Sequence, residues 1–276
     1  MRVTVHTAHS SFVIRHFLMA SLFDTHAHLD HDSFESDRDD VIRRAHEAGV
    51  VTMIAMGVDV ASSQAAIALA GKNPGIYAAV GIQPNYCGQA QAADWDRVLE
   101  LCVQPGVVAI GETGLDRYWD HSPFDVQQDY FDRHLRLAQE RDLPFVVHTR
   151  ECDADVLDML RAARNHGELR GVMHSFTSTE ETAGECVALG LHLSFAGMVT
   201  FTKSAELRRV AASLPADRIL LESDSPYLSP HPLRGKRNEP ANVVHTARVL
   251  AEARGVPLED FAAQTTANAR RLFRLC

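Results

Sequence analysis

Short, almost wholly apolar runs alternate along this chain with longer segments in which apolar residues return every three or four positions. The runs fall at 23–28, 50–56, 76–80, 107–112, 144–148, 171–174, 191–195 and 219–224, each bounded by polar or turn-forming residues, as strands buried on both faces are. Helical periodicity fills the intervals, at 39–48, 61–70, 94–101, 127–140, 153–163, 180–189, 205–214 and 242–253, and once more at 258–273. Asp59, Ser178 or Thr179, and Ser204 stand where helices should begin, and Gly49, Gly167 and Gly190 where they should stop. Strict alternation of this kind predicts a parallel sheet with helical crossovers, and eight repeats predict a (β/α)₈ or TIM barrel. The ninth helical segment is expected to pack on the outside of that barrel.

The polar residues that end the runs carry the chemistry. His26 and His28 close the first run, Glu112 the fourth, His148 the fifth, His174 the sixth and Asp224 the eighth. A barrel gathers the C-terminal ends of its strands around one mouth, so these six are predicted to meet there although up to 198 positions separate them in the chain. Residues i and i+2 of a strand share a face, which lets His26 and His28 grip one ion. Glu112 follows a completely apolar strand, and a buried carboxylate there requires either a cation or an arginine partner such as Arg150. A carboxylate can also bridge two ions. Asp224 suits both metal ligation and the acceptance of a proton from an attacking water. Glu222, one strand repeat deeper, is expected in the barrel interior. Imidazoles with only two carboxylates suit zinc or manganese better than calcium.

Arg150 lies two positions beyond His148 and so faces the same mouth, while Arg234, Lys236, Arg237 and Asn238 occupy the non-periodic stretch 229–240 after the eighth run. Loops at that end of barrels often hold phosphate, and Arg150, Arg234, Lys236 and Asn238 are read as phosphate contacts. Phe176, Tyr118, Trp119 and Tyr227 are candidates for stacking on bases near the mouth.

Composition narrows the partners. A chain of 276 residues that is 46% hydrophobic has the size of one barrel domain, placed at 19–276. Residues 1–18 show neither period and precede Met19, a plausible start, so they are expected to be a non-core extension. The formal charge of −9 argues against a broad non-specific nucleic-acid surface but leaves room for a local phosphate site. Five scattered cysteines without a Cys-x-x-Cys spacing point to neither disulfides nor a zinc knuckle, and favour the cytoplasm. No run is long enough to span a bilayer, so no membrane partner is expected. A monomer is expected.

Six strings carry a resemblance: Phe-Asp-Thr-His-Ala-His-Leu-Asp at 23–30, Gly-Glu-Thr-Gly-Leu-Asp at 111–116, Val-His-Thr-Arg at 147–150, His-Ser-Phe at 174–176, Leu-Glu-Ser-Asp-Ser-Pro at 221–226 and Arg-Gly-Lys-Arg-Asn-Glu-Pro at 234–240. In this order they resemble the TatD family of metal-dependent deoxyribonucleases. The resemblance implies a TIM-barrel hydrolase with two divalent ions, zinc, manganese or magnesium. It implies that His26, His28, Glu112 and Asp224 hold one ion, and Glu112, His148 and His174 the other. It further implies phosphodiester hydrolysis of single-stranded DNA, 3'-5' exonuclease in type. Gln83 stands where the family usually has histidine; it can hydrogen-bond a phosphate but cannot become cationic. Two other activities stay open: removal of misacylated amino acids from tRNA, and hydrolysis of a small amide, lactone or phosphotriester. Many barrels of the last kind bridge their metals with a modified lysine on strand four, where this chain has Glu112.

Overall fold

Eight strands pair in chain order and all in parallel: β1 (Leu22–Ala27), β2 (Val50–Met56), β3 (Ile76–Val80), β4 (Val107–Asp116), β5 (Phe145–Arg150), β6 (Gly171–Met173), β7 (His192–Phe195) and β8 (Ile219–Leu221). Just beyond the ends of β1 and β8, Asp224 N donates to His26 O at 2.9 Å and His28 N to Ser225 O at 2.8 Å, closing the sheet on itself. The computed structural model describes residues 21–275, so the extension expected at 1–18 lies outside the described residues. The predicted TIM barrel is the observed fold.

Helices α1 (Arg38–Glu47), α2 (Val60–Lys72), α3 (Ala92–Leu101), α4 (Phe124–Arg141), α5 (Asp153–Arg164), α6 (Glu180–Ala188), α7 (Ala205–Ser213) and α8 (Val243–Arg254) follow the strands in turn. Local chemistry explains where they begin and end. Asp59 and Ser62 form a reciprocal capping box at the head of α2, and the Thr179 side chain accepts from Thr182 N at the head of α6. Gly190 takes a φ of 97° after α6, a left-handed conformation open to glycine at little cost.

The core has two layers. Apolar faces of the helices bury against the outer faces of the strands, around residues such as Phe34, Val41, Phe131, Val156 and Leu250. Inside the barrel, Phe23, Ile54, Met56, Ala79, Ala109, Val146, Val172 and Leu220 pack together. The last helix, α9 (Leu258–Phe273), corrects one expectation. Instead of lying wholly outside, it ends by placing Leu272 and Phe273 in the interior layer, with the Phe273 ring centroid 6.0 Å from that of Phe23. Asn268 Nδ2 donates to Ile219 O at 2.9 Å, and Thr266 Oγ1 to Ser21 O at 2.8 Å, so α9 crosses the end where strands begin. A helical period reports an apolar face but not whether that face meets a barrel's wall or its open base. The barrel is thus plugged at its base, leaving the opposite end to carry the chemistry. Cys87, Cys102, Cys152 and Cys186 are buried free thiols, and among the described residues no helix is long and apolar enough to cross a membrane.

Candidate metal centre

Every one of the six candidate ligands reaches the mouth from a strand or from the residues just after it. His26 Nε2 and His28 Nε2 lie 3.2 Å apart. Asp224 Oδ1 stands 3.7 and 3.5 Å from these two nitrogens, and Glu112 Oε2 stands 3.4 and 3.7 Å from them. The second Glu112 oxygen turns the other way: Oε1 is 3.1 Å from His148 Nδ1 and 3.2 Å from His174 Nε2, while those nitrogens are themselves 3.2 Å apart. Glu112 therefore faces two pairs of imidazoles, one with each oxygen, and its partner is not Arg150.

This donor set fits a divalent cation. Ligand bonds of about 2.1 Å place neighbouring donor atoms of a tetrahedral or octahedral shell roughly 3.0–3.4 Å apart, close to the 3.1–3.7 Å spacings here. The donor atoms of His26, His28 and Asp224, and those of His26, Glu112 and His174, each gather within 4.8 Å. Three local features hold them. Asp224 adopts a φ of 53°, a left-handed turn that aspartate tolerates better than most residues. Gly114 pairs with His148 across β4 and β5, and a Cβ there would collide with His148 O, so only glycine lets the two strands approach this closely. The His26 ring stacks on that of His174 at 4.1 Å.

Protons and cations compete for these positions. Burial alone would raise the pKa of Glu112, but His174, His148 and His26 around it hold it well below the usual carboxylate range. Burial likewise opposes the charge of Asp224, and His28 and His26 again outweigh it and lower its pKa. His174 is the mirror case: burial favours its neutral form, yet Glu112 and Glu222 push its pKa well above the ordinary value. His26 is lowered, chiefly by burial with His174 beside it. Ions entering such a site displace imidazole protons, which makes binding depend on pH.

Outside the six candidate ligands stand two carboxylates. Glu222 Oε1 accepts from Ser175 N at 2.6 Å and lies 3.5 Å from His174 Nδ1. Asp116 Oδ2 lies 2.9 Å from His148 Nε2 and accepts from Asn85 Nδ2 at 3.1 Å, and its Oδ1 accepts from Tyr118 N and Trp119 N. Sequence reasoning gave Asp116 no role. Its signal was spacing: it follows Glu112 by four positions on one strand, and even offsets share a face.

The anticipated phosphate contacts separate into three groups. Arg150 is exposed, its guanidinium 3.6 Å above the Tyr118 ring centroid, and its side chain makes no hydrogen bond among the described residues. Arg234, over the Phe201 ring at 4.1 Å, and Lys236 are exposed on the loop after β8. Gln83 is buried; its Oε1 accepts from Asn85 N at 2.8 Å, tying it through Asn85 to Asp116. Asn238 is a correction. Its buried Nδ2 donates to Ser223 O and Tyr227 O, and its Oδ1 accepts from Glu239 N and Asn242 Nδ2, which commits the amide to holding the loop. Arg237 is likewise engaged, with Asp37 and Ser33 O. Phe176, 2% exposed and edge-on to Phe195, belongs to the core and offers no face to a base.

Comparison with known proteins agrees with this geometry. The family model "TatD related DNase" matches residues 23–274. The "uncharacterized metal-dependent hydrolase YabD" of Bacillus subtilis is 40% identical over 92% of this chain and 99% of its own. The "3'-5' ssDNA/RNA exonuclease TatD" of Shigella flexneri is 36% identical over 91% and 98%. The crystal structure of YJJV, a TatD homologue of Escherichia coli, superposes with a TM-score of 0.88 at 29% identity, covering 94% of this chain and 100% of that one. A family match that runs from the first strand to the end of α9, over a barrel whose mouth gathers four histidines and two carboxylates, places this chain in the TatD related DNase family, as a metal-dependent hydrolase.

Proposed function

We propose that this protein hydrolyses phosphodiester bonds of single-stranded nucleic acid, DNA foremost, as a 3'-5' exonuclease working at a two-ion centre. The observation that carries the reading is Glu112, whose two oxygens face separate imidazole pairs. In this reading His26, His28, Glu112 and Asp224 hold one ion, and Glu112, His148 and His174 the other, each zinc, manganese or magnesium. Bound ions would supply Lewis acidity toward the phosphoryl oxygen and lower the pKa of water.

The chain's own groups do the rest. Asp224, kept ionised by His28 and His26, accepts the proton of the attacking water. Arg150, with its hydrogen-bonding edge uncommitted, grips a non-reacting phosphate oxygen. Lys236 and Arg234 add local positive charge at the rim of a chain that is acidic overall. Gln83, whose Oε1 accepts from Asn85 N, offers its Nε2 to a phosphate oxygen and supplies no cation. Four buried free thiols suit a reducing compartment, the cytoplasm.

The test is metal-reconstituted protein assayed against labelled single-stranded and duplex oligonucleotides, with an aminoacyl-tRNA, a phosphotriester and a cyclic amide alongside. Stepwise shortening of the single strand from its 3' end is the expected outcome. Turnover of the tRNA ester or the small substrates with oligonucleotides left intact would overturn the reading.

A further inference from the structure

Two large aromatic rings stand half in water beside the candidate metal centre, Tyr118 at 49% and Trp119 at 44% exposure. Exposed rings are common on mobile loops, but this loop is tied down along its length. Asp116 Oδ1 accepts from the backbone N–H of Tyr118 at 2.9 Å and of Trp119 at 3.0 Å. The other oxygen of the same carboxylate faces His148. Arg117 N donates to Arg150 O at 3.0 Å, and the Arg117 guanidinium pairs with Asp155 through two 2.9 Å contacts while lying 3.6 Å from the Phe124 ring centroid. Arg150 props the Tyr118 ring, and Trp119 lies nearly parallel to His121, 9° between planes at 5.3 Å. Beyond the rings Ser122 O accepts from Gln127 Nε2 at 3.0 Å, so the backbone is anchored on both sides of two half-exposed side chains.

Distance limits what such a platform can touch. Trp119 is three residues beyond Asp116, so its Cα lies within about 11 Å of that of Asp116 even for fully extended chain, and Asp116 itself touches the candidate ligand His148. Strand order adds a direction: β4 and β8 are four strands apart in a ring of eight, so the Tyr118–Trp119 loop stands across the mouth from Asp224 and Tyr227.

We propose that Tyr118 and Trp119, with Arg150 beneath Tyr118, form a base-stacking subsite for an unpaired nucleotide next to the bond being cut. The proposal rests on the nuclease reading for its substrate and adds what selects that substrate. An aromatic face accepts any base, so the subsite is indifferent to sequence. A base must leave its partner to lie on the ring, so the same subsite disfavours duplex ends. Arg150 can serve both partners, its plane against Tyr118 and its N–H edge toward the neighbouring phosphate. Tyr227, half-exposed, lies on the far side of the mouth, edge-on against His28 at 5.8 Å and His31 at 5.7 Å.

Trp119 supplies its own readout, because Trp95 is the only other tryptophan in the chain and can be replaced by phenylalanine. In a Trp95→Phe background, metal-loaded protein is titrated with a cleavage-resistant phosphorothioate hexanucleotide, intact or with one abasic residue walked through each position. Quenching of Trp119 by the intact strand is expected, together with one position at which the abasic strand binds more weakly by roughly 5- to 150-fold. Tyr118→Ala with Trp119→Ala should show the same loss on the intact strand, followed by fluorescence anisotropy of a labelled oligonucleotide, and no further loss on that abasic strand. Tyr118→Phe with Trp119→Phe should restore tight binding. Loss of binding in the alanine pair without restoration by the phenylalanine pair counts against stacking. Wild-type cleavage of ordinary single strands with no quenching, or with alanine variants that bind like wild type, overturns the subsite and spares the nuclease. Quenching without any cleavage overturns the nuclease and spares the subsite. Absence of both overturns both.

Discussion

Replacing Asp116 by asparagine removes no candidate ligand, yet it should weaken the hold on the ion that His148 is proposed to share. The Asp116 carboxylate meets four donors: Tyr118 N and Trp119 N on Oδ1, and Asn85 Nδ2 and His148 Nε2 on Oδ2. An amide has only one acceptor oxygen. If that oxygen keeps the two backbone N–H groups, the new NH₂ group faces His148 Nε2, which must then present its lone pair. The imidazole proton moves to Nδ1, the nitrogen 3.1 Å from Glu112 Oε1 that is assigned to the ion. Loss of such an orienting partner typically weakens metal affinity 10- to 100-fold, or about 1.4–2.7 kcal/mol. Metal-induced stabilisation should shrink by the same amount, lowering the rise in Tm on metal addition by about 3–10 °C for a chain of this size. Calorimetric titration of metal-stripped protein should show one class of site shifted by that factor and the other little changed. The difference between metal-bound and metal-free Tm is the quantity to compare, because the lost hydrogen bond from Asn85 lowers both values together. A variant whose increment and affinities match wild type would refute the idea that Asp116 sets the His148 tautomer.

Other perturbations separate the parts of the site and the fold. Asp224→Asn should lower turnover by 10² to 10⁴ as expected for a lost base that is also a ligand, while anisotropy still detects oligonucleotide binding. Arg150→Ala should raise KM for oligonucleotides and leave hydrolysis of a small uncharged ester nearly unchanged, since a neutral ester gives the guanidinium no anion to hold; equal damage to both substrates with metal content intact would end the clamp assignment. Phe273→Ala empties the base of the barrel and should cost about 3–5 kcal/mol, seen calorimetrically as a lower Tm with near-normal turnover at temperatures below the transition. His134, buried with Nε2 accepting from Ile82 N at 3.0 Å and Nδ1 at 2.6 Å from Tyr130 O, is lowered to about 4, chiefly by burial. The fold therefore favours its neutral form: its contribution is full above the unfolded value of about 6.5 and is lost as pH falls toward 4, at up to about 1.4 kcal/mol per pH unit. His134→Gln should flatten the fall in urea midpoint between pH 7 and 5, though His192, also lowered to about 4, keeps a parallel loss.

The fold and the candidate ligands were legible for one physical reason. A strand buried on both faces tolerates almost no polar residue, so a histidine or carboxylate at its end announces that something there satisfies it, and the barrel supplies the common mouth. That logic found His26, His28, Glu112, His148, His174 and Asp224, all of which the structure brings to that mouth. What it does not contain is register. Gly114 stands opposite His148 and Asp116 opposite Arg150, and only this pairing turns Asp116 from one polar residue in a motif into the partner of a ligand. Nor does residue type report direction. Asn238 reads as a mouth contact from its place among Arg234, Lys236 and Arg237, but its amide turns inward to Ser223 O and Tyr227 O. Phe176, two residues past His174, turns into the core, whereas Tyr118 and Trp119, no more aromatic, are held outward because their own backbone is spent on Asp116. The same carboxylate thus orients a candidate ligand with one oxygen and positions the exposed rings with the other, so Asp116→Asn, which keeps an oxygen for the two backbone N–H groups, should weaken ion affinity and spare base recognition, whereas Asp116→Ala should weaken both together.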